Sequence, residues 1–291
     1  MSIKITNAQR AEVLTQALPY IQNYYGKIIV VKYGGNAMIN EQLKEQVMED
    51  VVLLHLVGVK VVLVHGGGPE ITETLTRMGK ESVFHNGLRV TDKETAEVVQ
   101  MVLAGKINKT LVNLLEMNGG SAVGLSGIDG RMIEAEVKDE ALGFVGKITR
   151  VDVKPINDLL EKGYIPVIST VGCDREGNVY NINADTAAAY IAGKLRAERL
   201  ITMTDIAGIL RDKDDPASII PCIDIKEARE LFTSGIISGG MVPKVECCIE
   251  AINHGVKKVT ILDGRVPHAL LIETLTDEGA GTMVVKDKNY A

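Results

Sequence analysis

The sequence has no tryptophan, and aromatic residues make up only 4% of its 291 positions. A chain this poor in aromatics offers no stacking platform for single-stranded nucleic acid. A basic field is missing too: 38 acidic side chains against 32 Lys and Arg leave a net charge of −6. That excludes a general nucleic-acid binder, yet a few local lysines would suffice for a nucleotide substrate. No apolar run is long enough to span a bilayer and the start of the chain does not read as a signal peptide. The expectation is a soluble protein of a reducing, cytoplasmic compartment with no membrane partner. Cysteine is scarce as well. Cys173, Cys222, Cys247 and Cys248 lack the paired spacing of a metal site. The adjacent Cys247 and Cys248 lie in a helical pattern and read as apolar filler.

What is abundant is β-branched residues followed by glycine. The run Ile28-Ile-Val-Val-Lys32-Tyr33-Gly34-Gly35 reads as a buried strand ending in a lysine and a glycine turn. The glycines let bare backbone N–H groups approach an anion, and the lysine adds a movable positive charge. It is not a Walker loop, because Lys32 precedes the glycines and no Gly-Lys-Ser/Thr follows. Val61-Val-Leu-Val-His65-Gly66-Gly67-Gly68-Pro69 repeats the idea, with Pro69 suited to the first turn of a helix. One such loop is an ordinary strand-to-helix turn in many α/β proteins. Two after successive strands point to phosphate.

The remaining pattern alternates strands and helices. Helices are expected at residues 41–56, 70–78, 91–116 with an interruption at Gly105, 153–162, 185–195, 225–235, 239–254 and 270–275. Strands are expected at 60–64, 122–125, 165–169, 199–204 and 258–262, with a hairpin or flap from 132–136 and 146–151. Such alternation implies a mostly parallel sheet with crossovers, and 46% hydrophobic residues supply the core. Residues 8–25 read as an amphipathic helix carrying Ala11, Leu14, Leu18, Ile21 and Tyr25 on one stripe, kinked at Pro19 and stopped by Gly26. That stripe packs either on its own domain or on another subunit.

The ordered motifs Val31-Lys32-Tyr33-Gly34-Gly35-Asn36, His65-Gly66-Gly67-Gly68-Pro69, Gly87-Leu88-Arg89-Val90-Thr91, Asn181-Ile-Asn183-Ala184-Asp185, Thr204-Asp205-Ile-Ala-Gly208 and Gly239-Gly240-Met241-Val-Pro-Lys244 resemble the acetylglutamate kinases of the amino-acid kinase family. The resemblance runs over residues 20–283. It implies an open αβα sandwich with an acceptor-binding N-lobe at 26–180, an ATP-binding C-lobe at 181–291 and an oligomerisation helix at 1–25. It also implies phosphoryl transfer from ATP to the side-chain carboxylate of N-acetyl-L-glutamate, a step of arginine biosynthesis. A carboxylate is already a nucleophile at neutral pH, so no general base is needed. Lysines and glycines without a His–carboxylate pair fit that chemistry.

By this resemblance Lys32 and Lys244 meet the transferring phosphoryl group, and Asp185 holds both lysines; its plain alternative is a helix N-cap. Gly34, Gly35, Gly66 and Gly67 offer N–H groups. Arg89 clamps a substrate carboxylate, with a surface ion pair as its alternative, and Asn181 bonds the acceptor's α-substituents. Thr204, Asp205, Gly208, Gly239, Gly240 and Met241 contact ATP, whose Mg²⁺ is held mainly by phosphate and water with no metal site in the protein. His65 and His85 read as structural or loop residues. Arginine-inhibited members carry an N-terminal helix that ties dimers into a hexamer, a trimer of dimers. Tyr20, Glu273 and Gly279 sit where those members bind L-arginine. Some relatives bind the signalling protein PII, and nothing in the sequence assigns that partner. Competing readings are a kinase for free glutamate or aspartate, a uridylate kinase, a non-catalytic arginine sensor and a dinucleotide-binding oxidoreductase. Both lysines argue against the sensor. The missing G-x-G-x-x-G in the first loop argues against the oxidoreductase.

Overall fold

Ile29, Val30 and Val31 are fully buried, which requires cover on both faces and puts their strand in the middle of a sheet. The structure, a computed structural model, describes residues 6–34, 38 and 40–288. The chain runs through α1 (Asn7–Gln16), α2 (Leu18–Tyr24), β1 (Ile28–Tyr33), α3 (Glu41–Leu56), β2 (Lys60–His65) and α4 (Gly68–Arg77). The small strands β3 (Phe84–His85) and β4 (Leu88–Arg89) lead to α5 (Lys93–Gln100), a π-helical stretch (Met101–Ile107) and α6 (Asn108–Met117). Next come β5 (Ala122–Ser126), β6 (Ile133–Val137), β7 (Gly146–Val151), α7 (Lys154–Glu161), β8 (Ile165–Ser169), β9 (Val171–Cys173), β10 (Val179–Asn181) and α8 (Ala184–Lys194). The chain closes with β11 (Arg199–Thr204), β12 (Cys222–Asp224), α9 (Ile225–Thr233), α10 (Met241–Asn253), β13 (Lys258–Asp263), α11 (Ala269–Leu275) and β14 (Gly281–Val285).

The main sheet has the order β12-β14-β13-β11-β1-β2-β8-β5. Neighbours are parallel except β14, which runs antiparallel to β13. After β1 the chain builds outward through β2 on one side and later through β11 on the other. The crevice beyond the carboxyl ends of β1 and β11 is therefore the topological switch point, where ligands of open α/β sheets bind. Alternation along each strand divides the core. Val30, Val62, Val64 and Ile168 pack with α8 and α10, and Ile29, Val31, Val61 and Leu63 pack with α3 and α6. A second sheet, β10-β9-β6-β7, joins the core on the α8 side, and its β6–β7 hairpin is the expected flap.

Two expectations change in detail. The N-terminal helix is two helices that part at Ala17, and Pro19 sits at the second position of α2, where a missing N–H is harmless. Tyr24, not Tyr25, turns inward, while Leu14 and Leu18 stay 73% and 51% exposed and α1 buries nothing. The long helix at 91–116 is not broken at Gly105; it widens there into the π-helical stretch. The short strands β9, β10, β12 and β14 escape a periodicity reading because three to five residues give little pattern.

Candidate active site

Lys32 shares the β1 face of Val30, which looks toward α8. Its Nζ lies 2.9 Å from Asp185 Oδ1, and only 7% of the residue is exposed. The lysine folds across its own turn: a Cβ at Gly34 would stand 2.8 Å from that Nζ. A side chain at that position would push the lysine out of its place. Gly35 lies outside the described residues.

Asp185 is not the cap of α8. Asn183 takes that role, its side chain accepting from Thr186 N at 3.0 Å. The Asp185 carboxylate is free to face the lysines. Burial works to raise its pKa, but the charges of Lys32 and Lys244 outweigh it and hold the group below the usual carboxylate range. Lys32 meets Oδ1 at ion-pair distance without the alignment of a hydrogen bond, so charge holds the pair. Lys244 arrives half-buried from the start of α10, after Gly240 as its N-cap. Strand β1 and helices α8 and α10 thus bring two cations to one acid.

The second glycine loop closes on a cavity of about 160 Å³ lined by Gly66, Gly67, Arg89, Asn181 and Ala184 among others. A Cβ at Gly66 would press Ala184 Cβ at 3.2 Å, and one at Gly67 would enter Leu103 and Ile107. Arg89 is 6% exposed. It donates to the Gly68 carbonyl at 2.9 Å, to Thr72 Oγ1 at 2.7 Å and to Ser82, and its carbon Cζ lies 4.6 Å from the Phe84 ring centre. None of these partners is an anion, so the surface ion-pair alternative does not hold. Burial lowers the guanidinium pKa, and a buried cation beside a cavity calls for an anion from outside. Asn181 ends β10 and donates to Thr91 Oγ1 at 3.3 Å. Asn183, Ser82, Thr72 and Phe84 were not given roles from sequence. Only Asn183 carried a signal, since it precedes an alanine-rich helix by one residue.

Thr204 and Asp205 stand at the carboxyl end of β11, level with Asp263 on β13. Arg265 grips Asp263 through two bonds of 2.9 and 2.8 Å. Gly208 has φ 143° and a Cβ there would meet Thr282 Oγ1 at 2.6 Å, so close backbone approach to β14 already accounts for this glycine. Gly239 (φ 55°) and Gly240 are exposed before α10, whose Met241 packs partly on the core.

At the other end of the sheet Tyr20 donates to Asp277, Glu273 Oε2 accepts from Ala280 N at 2.8 Å, and Gly279 lies against Glu273. Tyr20 is thus tied to Asp277, two positions before Gly279. Glu273 also pairs with Arg199 of its own chain, Oε1 to Nη1 2.9 Å, a partner no sequence pattern indicated.

A double-lysine, glycine-loop site at the switch point of an open αβα sheet is a small-molecule phosphotransferase arrangement. The amino acid kinase family matches residues 27–263, and the chain belongs to that family. The acetylglutamate kinase of Brachyspira hyodysenteriae is 57% identical over 285 residues, covering 97% of this chain and 99% of the relative. That of a Nostoc species is 52% identical, covering 97% and 96%. These relatives place the chain in the acetylglutamate kinase branch. Among solved structures, N-acetylglutamate synthase from Neisseria gonorrhoeae, complexed with coenzyme A and N-acetyl-glutamate, superposes with a TM-score of 0.84 at 25% identity. The match covers 95% of this chain and 63% of the synthase chain. Giardia carbamate kinase has a TM-score of 0.66 at 20% identity over 90% and 99%, and shares the fold.

Proposed function

We infer that the chain transfers the γ-phosphoryl group of ATP to the side-chain carboxylate of N-acetyl-L-glutamate, giving ADP and N-acetyl-L-glutamyl 5-phosphate for arginine biosynthesis. The observation that carries this is the Lys32–Asp185–Lys244 cluster at the switch point, adjoining a cavity with a buried, anion-free Arg89. Arg89 receives the α-carboxylate of the acceptor, and Asn181 its α-substituents. The N–H groups of the glycine loops face the reacting oxygens. Lys32 and Lys244 draw charge from the phosphoryl group as it moves, and Asp185 keeps the two ammonium groups together against their repulsion. ATP lies over Thr204, Asp205, Gly208, Gly239, Gly240 and Met241. Its Mg²⁺ would be held mainly by phosphate oxygens and water. Residues 26–180 serve as the acceptor lobe and 181–291 as the nucleotide lobe. The test is acyl-phosphate formation trapped with hydroxylamine, across acetylglutamate, glutamate and aspartate, with ADP release for UMP. Acetylglutamate should be turned over far better than free glutamate, whose charged amine does not suit a pocket built for a neutral amide. Equal kcat/KM for the two would exclude this reading.

Regulation by L-arginine and assembly into a hexamer are the second part of the proposal. The exposed apolar side chains Val13, Leu14 and Leu18 on α1 and α2 support it, since a helix pair that buries so little on its own chain suits a partner subunit. The gathering of Tyr20, Glu273 and Gly279 at the root of that pair supports the arginine site. Activity against arginine concentration and solution mass by light scattering test both. A dimer indifferent to millimolar arginine would overturn them.

A further inference from the structure

A chain of polar contacts behind the second glycine loop is not used by the chemistry above. Lys109 Nζ donates to Asn108 Oδ1 at 3.0 Å and to the Gly124 carbonyl at 2.9 Å. Asn108 Nδ2 donates to the carbonyls of Val167 at 2.9 Å and Leu125 at 3.2 Å, and faces His65 Nε2 at 3.2 Å. His65 Nδ1 lies 2.9 Å from the carbonyl oxygen of Gly66. Asn108 and His65 are both 0% exposed. Space has been cleared for the arrangement: a Cβ at Gly124, inside β5, would collide with Asn108 Oδ1 and stand 2.7 Å from Lys109 Nζ.

These contacts leave one proton placement. The Asn108 amide cannot be turned round, because its oxygen would then face two carbonyls and its NH₂ an ammonium group. The NH₂, whose two protons are shared among Val167 O, Leu125 O and His65 Nε2, offers no acceptor to an Nε2–H, so Nε2 carries the lone pair. The imidazole proton is on Nδ1 and donates to Gly66 O. Burial, opposed by the Gly66 bond and aided by the Lys109 charge, pushes the imidazole pKa down to about 4, so the ring is neutral. In a trans peptide C=O and N–H point to opposite sides. With the Gly66 carbonyl held toward the imidazole, the N–H of Gly67 is aimed away from it. Gly67 is the N-cap of α4, so that N–H has no acceptor within the helix, and both glycines line the Arg89 cavity.

We propose that His65 is a positioning residue: fixed as its Nδ1–H tautomer by Asn108 and Lys109, it locks the Gly66–Gly67 peptide so that the Gly67 N–H donates to the anion in the cavity. The role rests on the kinase reading for the identity of that anion, the acceptor carboxylate or the phosphoryl oxygen it receives. It does not rest on that reading for the tautomer.

The test has two arms on the full chain. Long-range ¹H–¹⁵N correlation on histidine-labelled protein, with the His65 signals assigned by their loss in His65→Asn, should show a single neutral Nδ1–H ring at neutral pH. An Nε2–H ring would overturn the proposal whatever the substrate. In the hydroxylamine assay His65→Phe, which removes the donor, should lower kcat about 10²-fold through misplacement of the reacting groups. His65→Asn keeps an N–H near the Nδ1 position and should recover activity to within about tenfold of wild type. Equal loss in both variants, or loss in neither, would reject positioning by Nδ1 while leaving the kinase activity standing. Failure of the wild-type chain to phosphorylate acetylglutamate would reject the kinase reading, and the tautomer measurement would still decide the proton placement.

Discussion

Two buried ion pairs sit at opposite ends of the same sheet, and they are built differently. Arg199 opens β11 and pairs with Glu273; Lys32 closes β1 and pairs with Asp185. Glu273 is anchored by three hydrogen bonds: it accepts from Arg199 Nη1 at 2.9 Å, Thr260 Oγ1 at 3.1 Å and Ala280 N at 2.8 Å. Asp185 has two cations but no aligned hydrogen bond on Oδ1. The network around Glu273 anchors that side chain, although the buried Arg199 Nε finds no hydrogen-bond partner among the described residues. Asp185 is held mainly by the charges of Lys32 and Lys244. The first pair joins α11 to the sheet, and the second is the one we propose for the chemistry.

Glu273→Ala is the strongest challenge to the distinction. It leaves Arg199 buried and unpaired, and should cost about 3–5 kcal/mol of stability. Thermal unfolding measures the loss, and kcat per folded molecule should hold. A drop in kcat with Tm intact would make this pair part of the chemistry instead. Lys32→Ala should show the converse. Asp185 keeps Lys244 as a partner, so the fold survives, while kcat falls roughly 10²–10³-fold, about 2.7–4 kcal/mol of transition-state stabilisation. Near-normal kcat in a folded Lys32→Ala or Lys244→Ala protein would remove that lysine from the mechanism.

Arg89→Ala sharpens the picture on the acceptor side. It should raise KM for acetylglutamate roughly 10- to 100-fold with little change for ATP, matching about 1.5–3 kcal/mol for charged hydrogen bonds. Steady-state kinetics with each substrate varied separates the two.

The smallest effect concerns a third buried acid. Asp50 on α3 is 1% exposed and meets His268 Nδ1 at 2.7 Å, tying α3 to the start of α11. Burial, opposed by the His268 hydrogen bond, pushes its pKa up from 3.8 to about 6. A folded pKa above the unfolded one means stability from this group is full below pH 3.8 and is lost as pH rises through about 6. The depressed pKa of Asp185 has the opposite sign: its contribution is present above the ordinary carboxylate range and is lost on acidification. Asp50→Asn should therefore flatten the fall in Tm between acid and neutral pH, whereas Asp185→Asn should flatten the acid limb. An unchanged Tm–pH curve in Asp50→Asn would show that His268 already neutralises the burial cost.

Much of this was legible in the chain. The glycine loops after Lys32 and His65 were readable because a β-branched run followed by glycine is a local pattern with a local cause. The long helices followed from periodicity over ten or more residues, and the buried strands from short apolar, β-branched runs. The break at Ala17, the π-helical stretch around Gly105 and the strands β9, β10, β12 and β14 were not readable, since each depends on what packs against it. Asp185 illustrates the boundary. Its place before an alanine-rich helix left capping open, and only the Asn183–Thr186 bond shows that another residue caps.

The sequence by itself determined the mostly parallel sheet with crossovers and the two phosphate-type loops with Lys32, because residue chemistry and spacing act over short range; Asp185, Arg89 and Lys244 became candidates through the resemblance of their motifs to a known family. The tertiary structure alone decided that Lys32 meets a carboxylate 153 positions away, that Glu273 is committed to Arg199, that Arg89 is buried without an anion, and that Asn108 sets the His65 proton. Each of these depends on the order of strands in the sheet, which brings distant segments to one edge, and on burial, which makes the partner of a charge matter as much as the charge.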